Sequence, residues 1–381
     1  MPVVQAQVKP TIGIFSTGQG HRSIAQAVQD KLTDLAGELY QSKIFYTKMP
    51  INSDKEGSLY NYLYRLAPKA YQVPFKLSAK AIKSNPELKK LSSIYFRSQT
   101  QRATEKFIKE QHIRLSISTY FLFQPVLADA SMKQSIPYIN IIHDPRTIHP
   151  WQLAKEARSN LFFDDHKLKY YQSQCQARVA GWFVRDQYED NYDQAAVRKR
   201  LKLQEQLTIL VVSGSDGSTA VLKILPALIN CQRPTQVLIA CGRNQSLYDN
   251  VRGIRKSLSK FSRSQATIIP LKFTKKLHLY MQAADLVVGK AGPNTLFESV
   301  ATLTPFFATV HMPQEAGNLS IIKQYHLGYV EENGKQASRQ LLDIINRPEQ
   351  LSTFKADLLK MKQHNQQAGQ ILLEEITQAL K

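Results

Sequence analysis

Twice in this chain a β-branched run passes through a glycine-bearing turn straight into a segment with helical apolar spacing. That repeated grammar limits the fold more than any other feature. The first case is Thr11-Ile-Gly-Ile-Phe, then Ser-Thr-Gly-Gln-Gly-His, then Ile24, Ala27, Val28 and Leu32. The second is the run LTILVV at 207–212, then SGSDGS, then Val221, Leu225 and Leu228. An apolar strand followed by a glycine turn and a 3.6-residue period reads as the first βα unit of a Rossmann-like sheet. Further strands are expected at 115–119 and 138–142 after the first unit, and at 236–241, 266–271, 284–289 and 305–310 after the second. Strands alternating with helical patterns give an α/β chain whose sheets are mostly parallel and covered on both faces.

A chain of 381 residues exceeds what one compact core usually encloses, so each unit is expected to head its own domain. The polar, charge-dense segment 185–206 reads as the linker between a domain at 1–184 and one at 207–362. Residues 363–381, with Ile371, Leu372, Ile376 and Leu380, read as a closing helix.

Several classes fall away. Cys175, Cys231 and Cys241 show no CxxC or Cys/His spacing, which argues against a disulfide framework or a zinc site and favours a reducing compartment. The first residues, MPVVQAQVKP, lack the basic and apolar regions of a signal peptide. No apolar run approaches the ~18 residues that span a bilayer. A membrane partner would therefore be met at the surface, without crossing.

Three loops carry candidate chemistry. Gly18–His21 lies where a strand becomes a helix, and a helix start attracts anions and disfavours an imidazolium, so a neutral His21 could accept a proton from an alcohol. The same turn could simply cap and pack. The loop at 213–219 offers Gly214, Ser215 and Gly217 to a diphosphate, but it has neither a Walker GK[ST] nor a full GxGxxG. In 289–299, GKAGPNTLFES, backbone N–H groups around Gly292, Pro293, Asn294 and Thr295 together with Lys290 suit a pyrophosphate. Glu298, one turn inward, suits a ribose diol. Gln314, Glu315 and Asn318 follow before another helix, the paired donors and acceptors that a sugar requires. Two ordinary helix caps would also account for these last segments.

Taken together, GQGHRSIA (18–25), DPRTIHPW (144–151), KAGPNTLFES (290–299) and PQEAGN (313–318) resemble the monogalactosyldiacylglycerol synthase and processive diacylglycerol glucosyltransferase family. That family is related to the N-acetylglucosaminyltransferase acting on the lipid-linked peptidoglycan precursor. The resemblance runs from Thr11 to about Ile345. It implies a GT-B fold, two Rossmann-like domains facing a cleft with a C-terminal helix crossing back, the acceptor held by the N-terminal domain and a UDP-sugar by the C-terminal one. His21 matches the proposed general base and Asp144 is its rival. Glu298 matches the ribose-binding carboxylate, and Gln314, Glu315 and Asn318 match residues at the donor sugar. Gln19 and Asn294 depart from the glycines common at those places. A UDP-hexose would be the co-substrate, with no cofactor and no metal.

Formal charge is +20, and the window 65–114 alone holds 12 Lys or Arg against 3 Asp or Glu. Aromatic and apolar residues interleave with these cations, which suits an anionic membrane interface. Lys76, Lys80, Lys83, Lys89 and Lys90 are the expected contacts. Solvated helices would give the same run, and RNA is the other polyanion, but no RNP, KH or helix-turn-helix pattern accompanies it. The expectation is an inverting hexosyltransferase, peripheral on the cytoplasmic side of a membrane, moving galactose or glucose from a UDP-sugar to diacylglycerol. The alternatives are another lipid acceptor, such as a lipid-linked cell-wall intermediate, or a non-enzymatic nucleotide- or RNA-binding module.

Overall fold

The computed structural model describes residues 9–17, 19–47, 68–212, 220–261 and 263–381. They form two compact units, the first built mainly from the N-terminal residues, 74–186 and 364–381, the second mainly from 187–363.

The first unit contains β1 (Thr11–Thr17), α1 (Gln19–Ala36), β2 (Gln41–Thr47), α2 (Pro68–Ser84) from Pro74 onward, α3 (Pro86–Glu110), β3 (Ile113–Ser118), α4 (Gln124–Gln134), β4 (Tyr138–Ile141), β5 (Ser159–Phe162), α5 (Leu168–Gln172) and β6 (Ala177–Val179). Its six strands lie in the order β2-β1-β3-β4-β5-β6 and every pair is parallel. Phe15 of β1 packs against Phe45, Phe107 and Phe123 with ring centroids 5.6–5.8 Å apart, joining the sheet to helices on its face. Asn85 caps α3 by accepting the Glu87 N–H, and Pro86 stands in its first turn, where a missing N–H costs nothing.

The chain then passes through α6 (Asp186–Glu189) and α7 (Gln194–Arg200) to β7 (Leu207–Val212), α8 (Ala220–Ile229), β8 (Thr235–Gly242), α9 (Gln245–Phe261), β9 (Ala266–Lys272), α10 (Leu277–Ala283), β10 (Leu286–Lys290), α11 (Pro293–Ala301), β11 (Phe306–Val310), α12 (Ala316–Gln324), β12 (Gly328–Val330), α13 (Gly334–Asn346) and α14 (Lys355–Ala379). The second sheet runs β12-β11-β10-β7-β8-β9, again parallel throughout, which is the Rossmann strand order. Ile209, Val211, Val237, Ile239 and Val288 pack against Val221, Ile224 and Leu228 of α8 and Leu341 and Ile344 of α13. At the β12 edge, Gly328 has φ +146°, and a Cβ there would lie 2.0 Å from the Phe306 carbonyl oxygen, so only glycine fits.

The segment read as a linker is not free chain. Arg198 donates to Asp285 at 2.8 Å and to the Ala283 carbonyl at 3.0 Å, and Val197 packs with Leu279 and Ala283, so most of 187–206 is docked on the second unit. Its charges read as exposure from sequence, whereas Arg198 is 7% exposed and paired. The closing helix starts at Lys355 rather than 363, and its residues from His364 onward belong to the first unit.

Candidate active site

In an open parallel sheet, ligands bind outside the carboxyl ends of the strands where the strand order reverses. In the first unit that place lies between β1 and β3, and in the second between β7 and β10.

In the first unit the carboxyl ends of β1, β3 and β4 deliver His21, Tyr120, His143 and Asp144. The His21 ring lies 4.2 Å from that of Tyr120 and 4.6 Å from that of His143, the two imidazoles meeting edge to face. Burial holds the His21 pKa down to about 4 and that of His143 well below its ordinary value, so both rings are neutral at pH 7. His21 Nδ1 is sealed from solvent and has no hydrogen-bond partner, a feature that native sites seldom leave without a use. His143 Nε2 lies 3.8 Å from Asp144 Oδ2, which also accepts a hydrogen bond from Gln152 Nε2 at 2.5 Å. The two rival bases thus belong to one cluster with His143 between them.

Gln152 is held in turn by a ladder of buried amides. Its carbonyl accepts from Gln124 and Asn140, and Asn140 donates to Asn160, whose side chain bonds the Ala154 backbone on both sides. Arg146, from the same sequence segment as Asp144, is buried against Asp164 at 2.9 Å, so it serves the fold.

Tyr120, His143 and Gln152 are absent from the sequence reading. Tyr120 and His143 share one signal that could have found them: each stands just beyond an expected strand, Tyr120 at the reversal of strand order and His143 on the strand next to it.

In the second unit β10 ends at Lys290, Gly292 is the N-cap of α11, Pro293 opens it, and Asn294 and Thr295 complete its first turn. The first N–H groups of a helix have no intrahelical acceptor, and Gly292 brings no capping side chain. Glu298 sits one turn further in and is 8% exposed. Gln314 and Glu315 lie in a single 3₁₀ turn, Pro313–Glu315, and Asn318 in the first turn of α12. Asn318 Nδ2 donates to the Ala291 carbonyl at 2.7 Å, which ties this turn to the β10–α11 turn and gathers all these residues into one constellation. Gln314 Oε1, Asn318 Oδ1 and Thr309 Oγ1 are buried without partners. Lys290 Nζ lies 2.5 Å from Glu315 Oε1. Gly214, Ser215 and Gly217 lie outside the described residues.

On the first unit, Lys76, Lys80, Lys83 and Lys90 are exposed, as are Leu77, Leu88, Leu91, Ile94 and Tyr95. Lys89 departs from the sequence reading: its Nζ donates to the Leu153 carbonyl at 3.1 Å and burial lowers its pKa. Among the described residues no helix is long and apolar enough to cross a membrane, and no three His, Cys, Asp or Glu side chains are grouped to hold a metal.

Two parallel Rossmann-like sheets and a C-terminal helix with residues in both units make a GT-B fold. Residues 208–376 match the glycosyltransferase family 28 C-terminal domain. The chain is similar to a probable monogalactosyldiacylglycerol synthase 2 of Oryza sativa subsp. indica, 25% identical over 91% of this chain and 76% of that protein. Monogalactosyldiacylglycerol synthase 2 of Arabidopsis thaliana is 24% identical over 85% of this chain and 70% of its own length. Among solved structures, Acinetobacter baumannii MurG superposes with a TM-score of 0.62 at 16% identity, covering 97% of this chain and all of that one. HepE of Anabaena, solved with UDP and glucose, gives 0.55 at 14% identity, covering 96% of this chain and all of its own. The protein is a glycosyltransferase.

Proposed function

We propose that the enzyme transfers galactose or glucose from a UDP-sugar to the free hydroxyl of diacylglycerol, with inversion at the anomeric carbon. The observation that carries the lipid acceptor is the outer face of α2 and α3. There Leu77, Leu88, Leu91, Ile94 and Tyr95 are 40% to 61% exposed among Lys76, Lys80, Lys83 and Lys90, on the same unit as His21. On α3, residues 88, 91 and 95 recur at helical spacing, so their apolar side chains share one face. An apolar face bordered by cations suits an interface carrying anionic lipid, each nearby Lys contributing about 1 kcal/mol. The enzyme would lie on the cytoplasmic side of its membrane without spanning it.

The acceptor hydroxyl would pass its proton to His21, whose Nδ1 is unpartnered, or to Asp144, oriented by Gln152. The alkoxide oxygen would form its bond to the anomeric carbon as the bond from that carbon to the β-phosphate oxygen breaks. UDP would leave with its charge met by the first-turn N–H groups of α11 and by the 213–219 loop, so the scheme calls for no metal and no cofactor. Glu298 would take the ribose diol. Gln314, Glu315 and Asn318 would hold the hexose hydroxyls, and the unpartnered acceptors of Gln314 and Asn318 support this. The names of the plant relatives agree with such a product.

The test is incubation with radiolabelled UDP-galactose and UDP-glucose on vesicles containing diacylglycerol, with the lipids separated afterwards. A labelled monohexosyldiacylglycerol is expected from one donor. Label found only on another lipid alcohol, or on no lipid, refutes the acceptor assignment.

A further inference from the structure

The sequence assigns Lys290 and Glu315 to opposite ends of a nucleotide sugar, one to the diphosphate and the other to the hexose. The structure sets them on each other. Lys290 Nζ lies 2.5 Å from Glu315 Oε1, and the second oxygen, Oε2, accepts the Met312 N–H at 2.7 Å. The Glu315 side chain is only 6% exposed, that of Lys290 24%. A carboxylate taken so far out of water requires a positive partner and hydrogen-bond donors, and these two contacts supply both. The β10–α11 turn passes directly beside the pair: a Cβ on Gly292 would stand 3.4 Å from Glu315 Oε1 and 3.9 Å from Lys290 Nζ.

We propose that Lys290 is a positioning residue for Glu315, acting on the hexose half of the donor and not as the clamp of the diphosphate. This rests on the reading of the second unit as a UDP-hexose site. A carboxylate anchored on one oxygen by a backbone N–H and on the other by an ammonium keeps a fixed orientation and spare lone pairs for sugar hydroxyls. The diphosphate does not need the same ammonium, since the N-terminus of α11 already presents donors and a favourable dipole to an anion. A donor sugar and its diphosphate can then be recognised by separate groups a few residues apart in the chain.

UDP and UDP-hexose differ by the hexose alone, so comparing them separates the two roles. Binding of UDP, UDP-galactose and UDP-glucose to the full-length protein is measured by calorimetry for the wild type, Lys290→Met, Lys290→Arg and the double variant Lys290→Met/Glu315→Gln. The expected result is that Lys290→Met binds UDP within about threefold of wild type but loses about tenfold or more of the extra affinity for UDP-hexose, the scale of one charge-assisted contact. Lys290→Arg should keep part of that extra affinity. The double variant no longer strands a buried carboxylate, so it should fold and bind UDP normally even if the single variant is unstable. A loss of about tenfold or more in UDP affinity in the double variant overturns the proposal in favour of a diphosphate clamp. Retention of the full UDP-hexose preference by Lys290→Met also overturns it. Wild-type protein that binds neither UDP nor UDP-hexose refutes the donor-site reading itself, an outcome distinct from the other two.

Discussion

Replacing His21 by Gln should make the protein less sensitive to acid, and the size of the change follows from how the imidazole is held. The ring, in the first turn of α1, packs against both Tyr120 and His143, with Nδ1 sealed from water. Desolvation lowers its pKa from 6.5 to about 4. The helix N-terminus adds a dipole that opposes a cation. An unfolded chain takes up a proton near pH 6.5 while the folded one does not until about pH 4. Stability is therefore fully present above 6.5, falls as the pH drops through that window, and levels off below the folded value. The full shift corresponds to roughly 3 kcal/mol, and between pH 7.5 and 5.0 about 2 kcal/mol is lost.

A glutamine cannot charge, so urea unfolding of His21→Gln at those two pH values should show a pH penalty smaller than that of wild type by about 2 kcal/mol. His143 and His149 also have lowered pKa values through burial and remain in the variant, so a residual penalty persists. The His21 charge is a secondary cause of the His143 shift, but His21 is uncharged over this range and its loss changes little there. Equal penalties in both proteins, or an NMR midpoint for His21 above about 6, would refute the burial argument. A confirmed midpoint near 4 also carries a kinetic consequence. His21 would stay deprotonated at every pH from 5 to 8, and an acid limb of the rate profile in that range would have to come from another group.

Two glycines should respond oppositely to alanine. Gly328→Ala puts a Cβ 2.0 Å from the Phe306 oxygen and 2.6 Å from its nitrogen, both backbone atoms, and should cost about 3 kcal/mol or more in thermal or urea unfolding. Gly253, exposed within α9 with nothing inside 4 Å of its Cβ position, should give a gain of about 0.5–1 kcal/mol on the same change. Reversing Lys76, Lys80, Lys83 and Lys90 to Glu should weaken sedimentation with anionic vesicles by at least about tenfold at low salt, with unfolding unchanged. Lys89→Met should do the reverse, since that ammonium is spent on the Leu153 carbonyl: lower stability and nearly intact vesicle binding. Equal behaviour of all five lysines in the vesicle assay would contradict this division.

Much of the architecture was legible because the central strands are buried along nearly their whole length. β1, β7, β10 and β11 have almost no exposed position, so they stand in the sequence as apolar runs ending in glycine or polar turns. β2, β6 and β12 were not, and each is an edge strand. β2 alternates exposed with half-buried residues, and β6 and β12 have three residues each, none fully buried. β5, four residues and fully buried, is too short for a pattern and includes Asn160, whose amide serves the ladder beneath Gln152. The sequence also could not show that Lys89 turns inward while its neighbour Lys90 does not, since that depends on where residue 153 lies.

The two halves of the site were legible to different degrees for one physical reason. In the second unit the chemistry sits on a single turn–helix stretch and the 3₁₀ turn that follows the next strand, so local order in the chain preserves it. What is lost in the linear sequence is pairing across β11: Lys290 and Glu315 lie 25 residues apart yet share one contact. In the first unit the cluster is assembled from the ends of three different strands, and its members have no common spacing. There the useful guide is topology. The residues just past the carboxyl ends of strands flanking the reversal of order include Tyr120, and the adjacent strand adds His143. Strand order, and not residue type, is therefore what distinguishes these from the chain's other tyrosines and histidines. Once six parallel strands are ordered, a neutral His21, an oriented Asp144 and the rings between them are brought to one place by the sheet itself.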